Sequence, residues 1–282
     1  MADVAEKALV LGGGGISGIA WEIGMLAGLA ERGIDLTDAD LVVGTSAGSV
    51  VGVDVRSGTP LADFYAAQTR PPGATEIYAR MSRLLMAKYV RAIVFTRKPQ
   101  VARARVGALA LRARTEPEDV RRKVFESRLP ISEWPPGRLQ ITAVEAASGD
   151  FTVFDAASGV RLIDAVGASC AVPGIWPPVT IGGRRYMDGG MRSPANVDLA
   201  AGFERVVVLA PLPRGFGTLE SVASQAGRLA NQGTRLVVIQ PDKAALAAIG
   251  KNVLDPAHRP GAARAGYAQA AEAAEAVKSV WL

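Results

Sequence analysis

The sequence predicts an α/β fold, a mostly parallel sheet with helices on both faces, from two observations. Short apolar or β-branched runs recur along the chain, and helical stretches lie between most of them. Runs that are apolar throughout suit parallel strands covered on both sides. These are Ala8–Leu11, Leu41–Val43, Leu139–Val144, Val206–Leu209 and Leu236–Ile239, with Phe151–Phe154 and Arg184–Met187 as further strands. Ala20–Glu31, Gly48–Ser57 and Ser221–Asn231 read as intervening helices, and Ala262–Val280 as a final one. Strand alternating with helix points to βαβ units, here within a single domain over residues 1–282.

The bulk composition agrees. The chain is 49% hydrophobic and 21% charged, too apolar for disorder. Cys170 is the only cysteine, which excludes an intramolecular disulfide framework and suits a reducing compartment. Residues 1–7 lack the basic start and short apolar core of a signal peptide. No run of eighteen or more apolar residues is free of charge. A cytoplasmic protein is expected, with peripheral contact to a membrane left open.

Charge is unevenly spread. Between Ile77 and Arg128 stand 14 Lys/Arg and 4 Asp/Glu, whereas the rest of the chain has 18 and 23. Ile77, Met81, Leu84, Leu85, Tyr89, Ala92 and Ile93 fall at helical spacing, with Arg80, Arg83 and Arg91 opposite. That pattern predicts a basic amphipathic helix at the start of a helical, cap-like insertion over about 77–130. Such a segment is either a solvated helix bundle or a surface for anionic lipid. Little aromatic interleaving argues against nucleic acid.

Three motifs carry the chemistry. Gly44-Thr45-Ser46-Ala47-Gly48 follows a strand and precedes a helix. A nucleophile elbow needs small residues two positions either side of its serine, and it lifts the hydroxyl to a helix N-terminus. Gly12-Gly13-Gly14-Gly15-Ile16-Ser17-Gly18 lies after the first strand, where glycine amides can converge on an anion. Its G-x-G-x-x-G spacing also fits a dinucleotide loop, but Asp38 and Asp40 precede the second strand, where the ribose-binding acid should follow it. Asp188-Gly189-Gly190 ends a strand and is either a base or a turn-forming aspartate. The sole histidine, His258, sits in a proline-flanked loop, so a Ser-His-Asp triad is not expected. A carboxylate base is the alternative, and Asp188 is the candidate.

The glycine loop Gly13–Gly18, the elbow Gly44–Gly48 and the late Asp188–Gly190, in this order, resemble the patatin-like phospholipase family. The stretch from Ala168 to Val179 resembles the segment before the family's D-G-G. The resemblance implies a three-layer α/β/α fold and lipid ester hydrolysis by a Ser46–Asp188 dyad without metal or cofactor. It also implies an oxyanion held by the Gly13, Gly14 and Gly15 amides. Ser17 departs from the family, which usually places Arg or Lys there. Trp176 and its neighbouring prolines read as packing in preference to a substrate platform. Two other readings stay open: an acyltransferase of the malonyl-CoA transacylase type, and a noncatalytic lipid- or nucleotide-binding module.

Overall fold

The computed structural model describes residues 7–73, 78–94, 96–214 and 219–282. Residues 1–6, read above against a signal peptide, and Ile77, read as the first apolar position of the basic helix, lie outside them. The chain begins with β1 (Lys7–Leu11), α1 (Gly15–Glu31), β2 (Leu41–Gly44), α2 (Ala47–Arg56) and α3 (Leu61–Thr69). Three helices follow, α4 (Arg83–Val94), α5 (Pro99–Arg112) and α6 (Glu118–Glu126). Then come β3 (Arg138–Glu145), β4 (Phe151–Phe154), α7 (Leu162–Ser169), β5 (Val179–Ile181) and β6 (Arg184–Asp188). The last elements are β7 (Arg205–Leu209), α8 (Val222–Asn231), β8 (Arg235–Ile239), α9 (Lys243–Ile249) and α10 (Arg259–Trp281).

The five runs read as parallel strands form one parallel block in the order β3-β2-β1-β7-β8. Side chains alternate across it. Leu9 and Leu11 of β1 enter a core with Trp21 and Met25 of α1 and with Ala263, Ala270 and Trp281 of α10. Ala8 and Val10 face the other way, onto Val206, Val208 and the α8 residues Val222, Ala226 and Leu229. Two helical layers thus enclose the sheet, which explains why these strands carry no polar alternation.

β3 is the longest strand and organises the site. Ile141 pairs with both Gly44 of β2 and Phe154 of β4, so those two strands lie on opposite edges of β3. Ala143 and Val144 pair with β4 and also with Asp188 and Met187 of β6. β6 therefore shares the β2 edge. β2 runs parallel to β3 and ends opposite Ile141; β6 runs antiparallel and ends opposite Ala143. Their C-terminal ends meet head to head, with only Thr142 between them.

The basic helix starts at Arg83 instead of Ile77 because Ser82 caps it, its Oγ accepting the Leu85 N–H at 3.1 Å. Its buried positions are Tyr89 and Ile93 alone. Leu84, assigned by periodicity to the apolar face, is 67% exposed, since it lies roughly 140° around the helix from Tyr89. Among the described residues no helix is long and apolar enough to cross a membrane.

One buried acid makes a stability prediction. Asp54 on α2 is 4% exposed, and burial pushes its carboxyl up to about 8. The folded value lies above the unfolded one, so the neutral acid favours folding most at low pH. That contribution is lost as pH rises from about 4 to about 8. Asp54→Asn should flatten the fall of stability across the upper half of this window, by on the order of 1 kcal/mol per pH unit, and with it the fall of Tm. Parallel wild-type and variant slopes in thermal scans would refute it.

Candidate active site

Ser46 stands between β2 and α2 with φ 52° and ψ −114°, a left-handed backbone rare for a residue with a β-carbon. Such strain costs about 1–3 kcal/mol and persists only where neighbours enforce it. Here they do. The Ser46 N–H donates to Ser169 Oγ at 2.9 Å. Its carbonyl accepts from Ser49 N at 2.9 Å, Ser49 Oγ at 2.7 Å and Cys170 Sγ at 3.2 Å. Burial pushes the Cys170 thiol up to about 12, so it serves as a neutral donor. The Ala168–Val179 stretch, which contributes Ser169 and Cys170, is thus a brace for the elbow.

Asp188 ends β6 at the point where the two strands meet. The Ser46 side chain is near enough to its carboxyl to lower the pKa, and its Oδ1 accepts the Gly190 N–H at 2.7 Å. The group is 4% exposed, and burial raises it to about 6 against the lowering effect of those two neighbours. Burial thus makes this carboxyl a stronger base than an exposed aspartate. The bond to Gly190 N–H makes this aspartate the cap of a short 3-10 turn, as a turn-forming residue would be.

The glycine loop crosses beside the elbow. Gly12 O accepts the Gly48 N–H at 3.0 Å, and a β-carbon on Gly13 would lie 3.6 Å from Ser46 Cβ. Gly15 takes φ 60°, which only glycine adopts without strain, and opens α1 there. The expectation that Gly13, Gly14 and Gly15 all present free amides is corrected at Gly13, whose N–H donates to Pro194 O at 2.7 Å. The Gly18 N–H is used too, closing the first turn of α1 on Gly14 O at 2.8 Å. Among the described residues the Gly14 and Gly15 amides have no hydrogen-bond partner, and neither has that of Ala47, which follows the serine. They belong to the N-termini of α1 and α2, whose positive ends attract an anion.

A buried polar network joins the two halves of the site. Thr45 Oγ1 lies 3.0 Å from both Thr142 Oγ1 and Asn196 Nδ2. Asn196 Nδ2 also reaches Ser193 O at 3.1 Å and Gly189 O at 3.4 Å, tying elbow to D-G-G loop. Arg192 holds Asn196 Oδ1 at 2.9 Å and pairs with Asp198, which Gln225 of α8 contacts at 2.8 Å. Tyr89 of α4 packs near Met187 of β6, its hydroxyl donating to Pro173 O, and burial and the Asp188 charge together raise its pKa. No motif flagged Thr142 or Asn196, and Tyr89 was read only as an apolar helix position, since each matters through a distant partner.

The competing features lie elsewhere. Asp40 Oδ2 accepts the Lys7 N–H at 2.9 Å and Asp38 Oδ1 the Trp281 indole N–H at 2.8 Å, both at the start of the parallel strands. Neither is placed for a ribose. His258 closes a short 3-10 turn before α10, and among the described residues no hydrogen bond links it to Ser46 or Asp188. Trp176 is buried, with the Arg121 guanidinium 3.9 Å from its ring centroid, so it packs and offers no platform. Ser17 is fully buried.

Fold and site define an α/β/α protein with a strained elbow serine beside a buried carboxylate. The chain belongs to the patatin-like phospholipase family, whose match covers residues 9–201. Membership supports a lipid hydrolase at the level of the family. VipD from Legionella pneumophila is similar in structure, with a TM-score of 0.50 at 14% identity over 98% of this chain and 67% of that one. The type III effector protein ExoU matches with a TM-score of 0.41 at 17% identity over 99% of this chain. This chain spans 54% of the ExoU chain. At 14% identity the likeness to VipD concerns the fold alone. No curated protein sequence matches the chain.

Proposed function

We propose that the protein hydrolyses lipid carboxylic esters by a Ser46–Asp188 dyad. The observation that carries this reading is the strained Ser46 at the head-to-head meeting of β2 and β6, beside a buried Asp188 that burial raises to about 6 and the Ser46 side chain lowers. As Ser46 Oγ bonds to the ester carbonyl carbon, its proton passes to Asp188. The carbonyl oxygen gains the negative charge and is met by the Gly14, Gly15 and Ala47 amides. When the intermediate collapses, the bond to the leaving alcohol breaks and Asp188 returns the proton to that oxygen. Water then attacks the acyl-Ser46, giving its proton to Asp188, and the carboxylic acid leaves as Ser46 regains a proton.

Phospholipids and lysophospholipids are the substrates put first, on family grounds. Ser46→Ala should lower hydrolysis of a short-chain p-nitrophenyl ester by about 10³-fold or more and abolish labelling by a fluorophosphonate. Retained turnover with an unaltered circular dichroism spectrum would reject the dyad.

A further inference from the structure

We propose that the outward face of α4, with the groove it shares with α5, docks on the surface of an anionic phospholipid bilayer. Leu84, Ala87, Lys88, Arg91 and Val94 recur at i, i+3, i+4, i+7 and i+10, on the side of α4 opposite Tyr89 and Ile93. All five are exposed, Leu84 by 67% and Val94 by 55%. Beside them runs a shallow groove of about 850 Å³, with Lys88, Arg91 and Arg105 around the apolar Ala92 and Leu109.

The charge is one-sided. Residues 78–115 hold ten Lys/Arg and no Asp/Glu. Solvated helices commonly intersperse carboxylates among their cations to offset repulsion; this segment leaves Lys88 and Arg91 outside any ion pair among the described residues. A large cation excess around exposed Leu and Val matches an interface of anionic headgroups over acyl chains. Nucleic acid would use the cations but has no use for the bare aliphatic side chains.

The inner side of the same helix rests on the catalytic region. Tyr89 is bonded to Pro173, and Leu85 lies against Gly174, within the stretch that braces Ser46. A bilayer held by the outer face would therefore lie close to the Ser46 site. The biological purpose of docking rests on the lipid-hydrolase reading, but docking itself is measurable without catalysis.

The full chain carrying Ser46→Ala is mixed with sucrose-loaded vesicles of phosphatidylcholine, or of phosphatidylcholine with phosphatidylglycerol, and sedimented. Binding is expected only to the mixed vesicles, and it should weaken as salt is raised. Lys88→Glu with Arg91→Glu should reduce it about tenfold or more. Leu84→Ser with Val94→Ser should weaken it while leaving the salt dependence in place. Both pairs, made in the active chain, should keep wild-type turnover of a soluble short-chain ester, which shows that they fold. If the charge reversal does not fold, Lys88→Gln with Arg91→Gln gives the same reading. Equal binding to both vesicle types, or binding that survives the charge substitutions, overturns the proposal. So does tighter binding to single-stranded RNA that ignores the Leu84 and Val94 changes. Vesicle binding as expected, in a chain that hydrolyses no ester, would leave docking standing and remove the hydrolase.

Discussion

Asp188→Asn is expected to lower kcat on a short-chain ester by about a thousandfold and yet to stabilise the fold near about pH 8. The loss follows because an amide cannot take the Ser46 proton. The gain follows from linkage. Burial raises the Asp188 carboxyl from 3.8 to about 6 in the folded protein. Its contribution to stability is therefore greatest below the unfolded value and is lost as pH rises through about 6. Above that pH the folded state carries a buried charge that asparagine does not. A rise from 3.8 to about 6 corresponds to on the order of 3 kcal/mol, with no discount for screening because the group is 4% exposed. Urea midpoints should separate near about pH 8 and converge near about pH 4, while wild-type kcat/KM falls below about pH 6. An active variant, or one less stable than wild type at the higher pH, would contradict this account.

Gly48→Ala is expected to prevent folding. A β-carbon there would stand 2.1 Å from Leu11 O and 2.3 Å from Leu11 C. Both atoms belong to the backbone of β1, so neither can swing aside as a side chain could. The Gly48 N–H is also committed, to Gly12 O at 3.0 Å and Thr45 O at 2.9 Å, which fixes its distance from the strand. Relieving the overlap means prising α2 off β1, at a cost above about 4 kcal/mol. Gly52→Ala, one turn further along α2, is the control. Its nearest neighbour is Leu139 Cδ1 at 2.9 Å, the end of a flexible side chain, so a loss of about 1 kcal/mol is expected. Soluble yield and Tm decide the matter; a Gly48→Ala protein melting with wild type would disprove the steric argument.

The parallel block was legible because its strands are apolar throughout, and β1, β2, β3, β7 and β8 each fall within a residue or so of the run that predicted them. β5 was not, being three residues long and defined by its pairing with β6. Helices α3, α7 and α9 were missed as well; each has seven to nine residues, too short for periodicity to stand out. At the site, glycines betrayed themselves because close backbone approach admits nothing larger, and Ser46 was recognisable from them. Gly13 was misjudged because spacing says where an amide lies along the chain but not which carbonyl it faces. Asn196 and Thr142 could not be read at all, and Ser169 only as part of a recognised stretch, with no sign of its bond to Ser46. Their roles arise from contacts over 54 to 151 residues of sequence, for which a single chain offers no local signature.

The head-to-head meeting of β2 and β6 has a consequence for how error reaches Ser46 and Asp188. A strand advances about 3.3 Å per residue, and a slip of one residue turns every side chain to the opposite face. The smallest slip that keeps faces correct is two residues, about 7 Å, more than twice the reach of a hydrogen bond. β3 therefore acts on Ser46 and Asp188 as a detent, admitting one setting and no neighbouring one. Mispairing cannot detune the pair by degrees. It either clicks into place across Thr142 or does not exist.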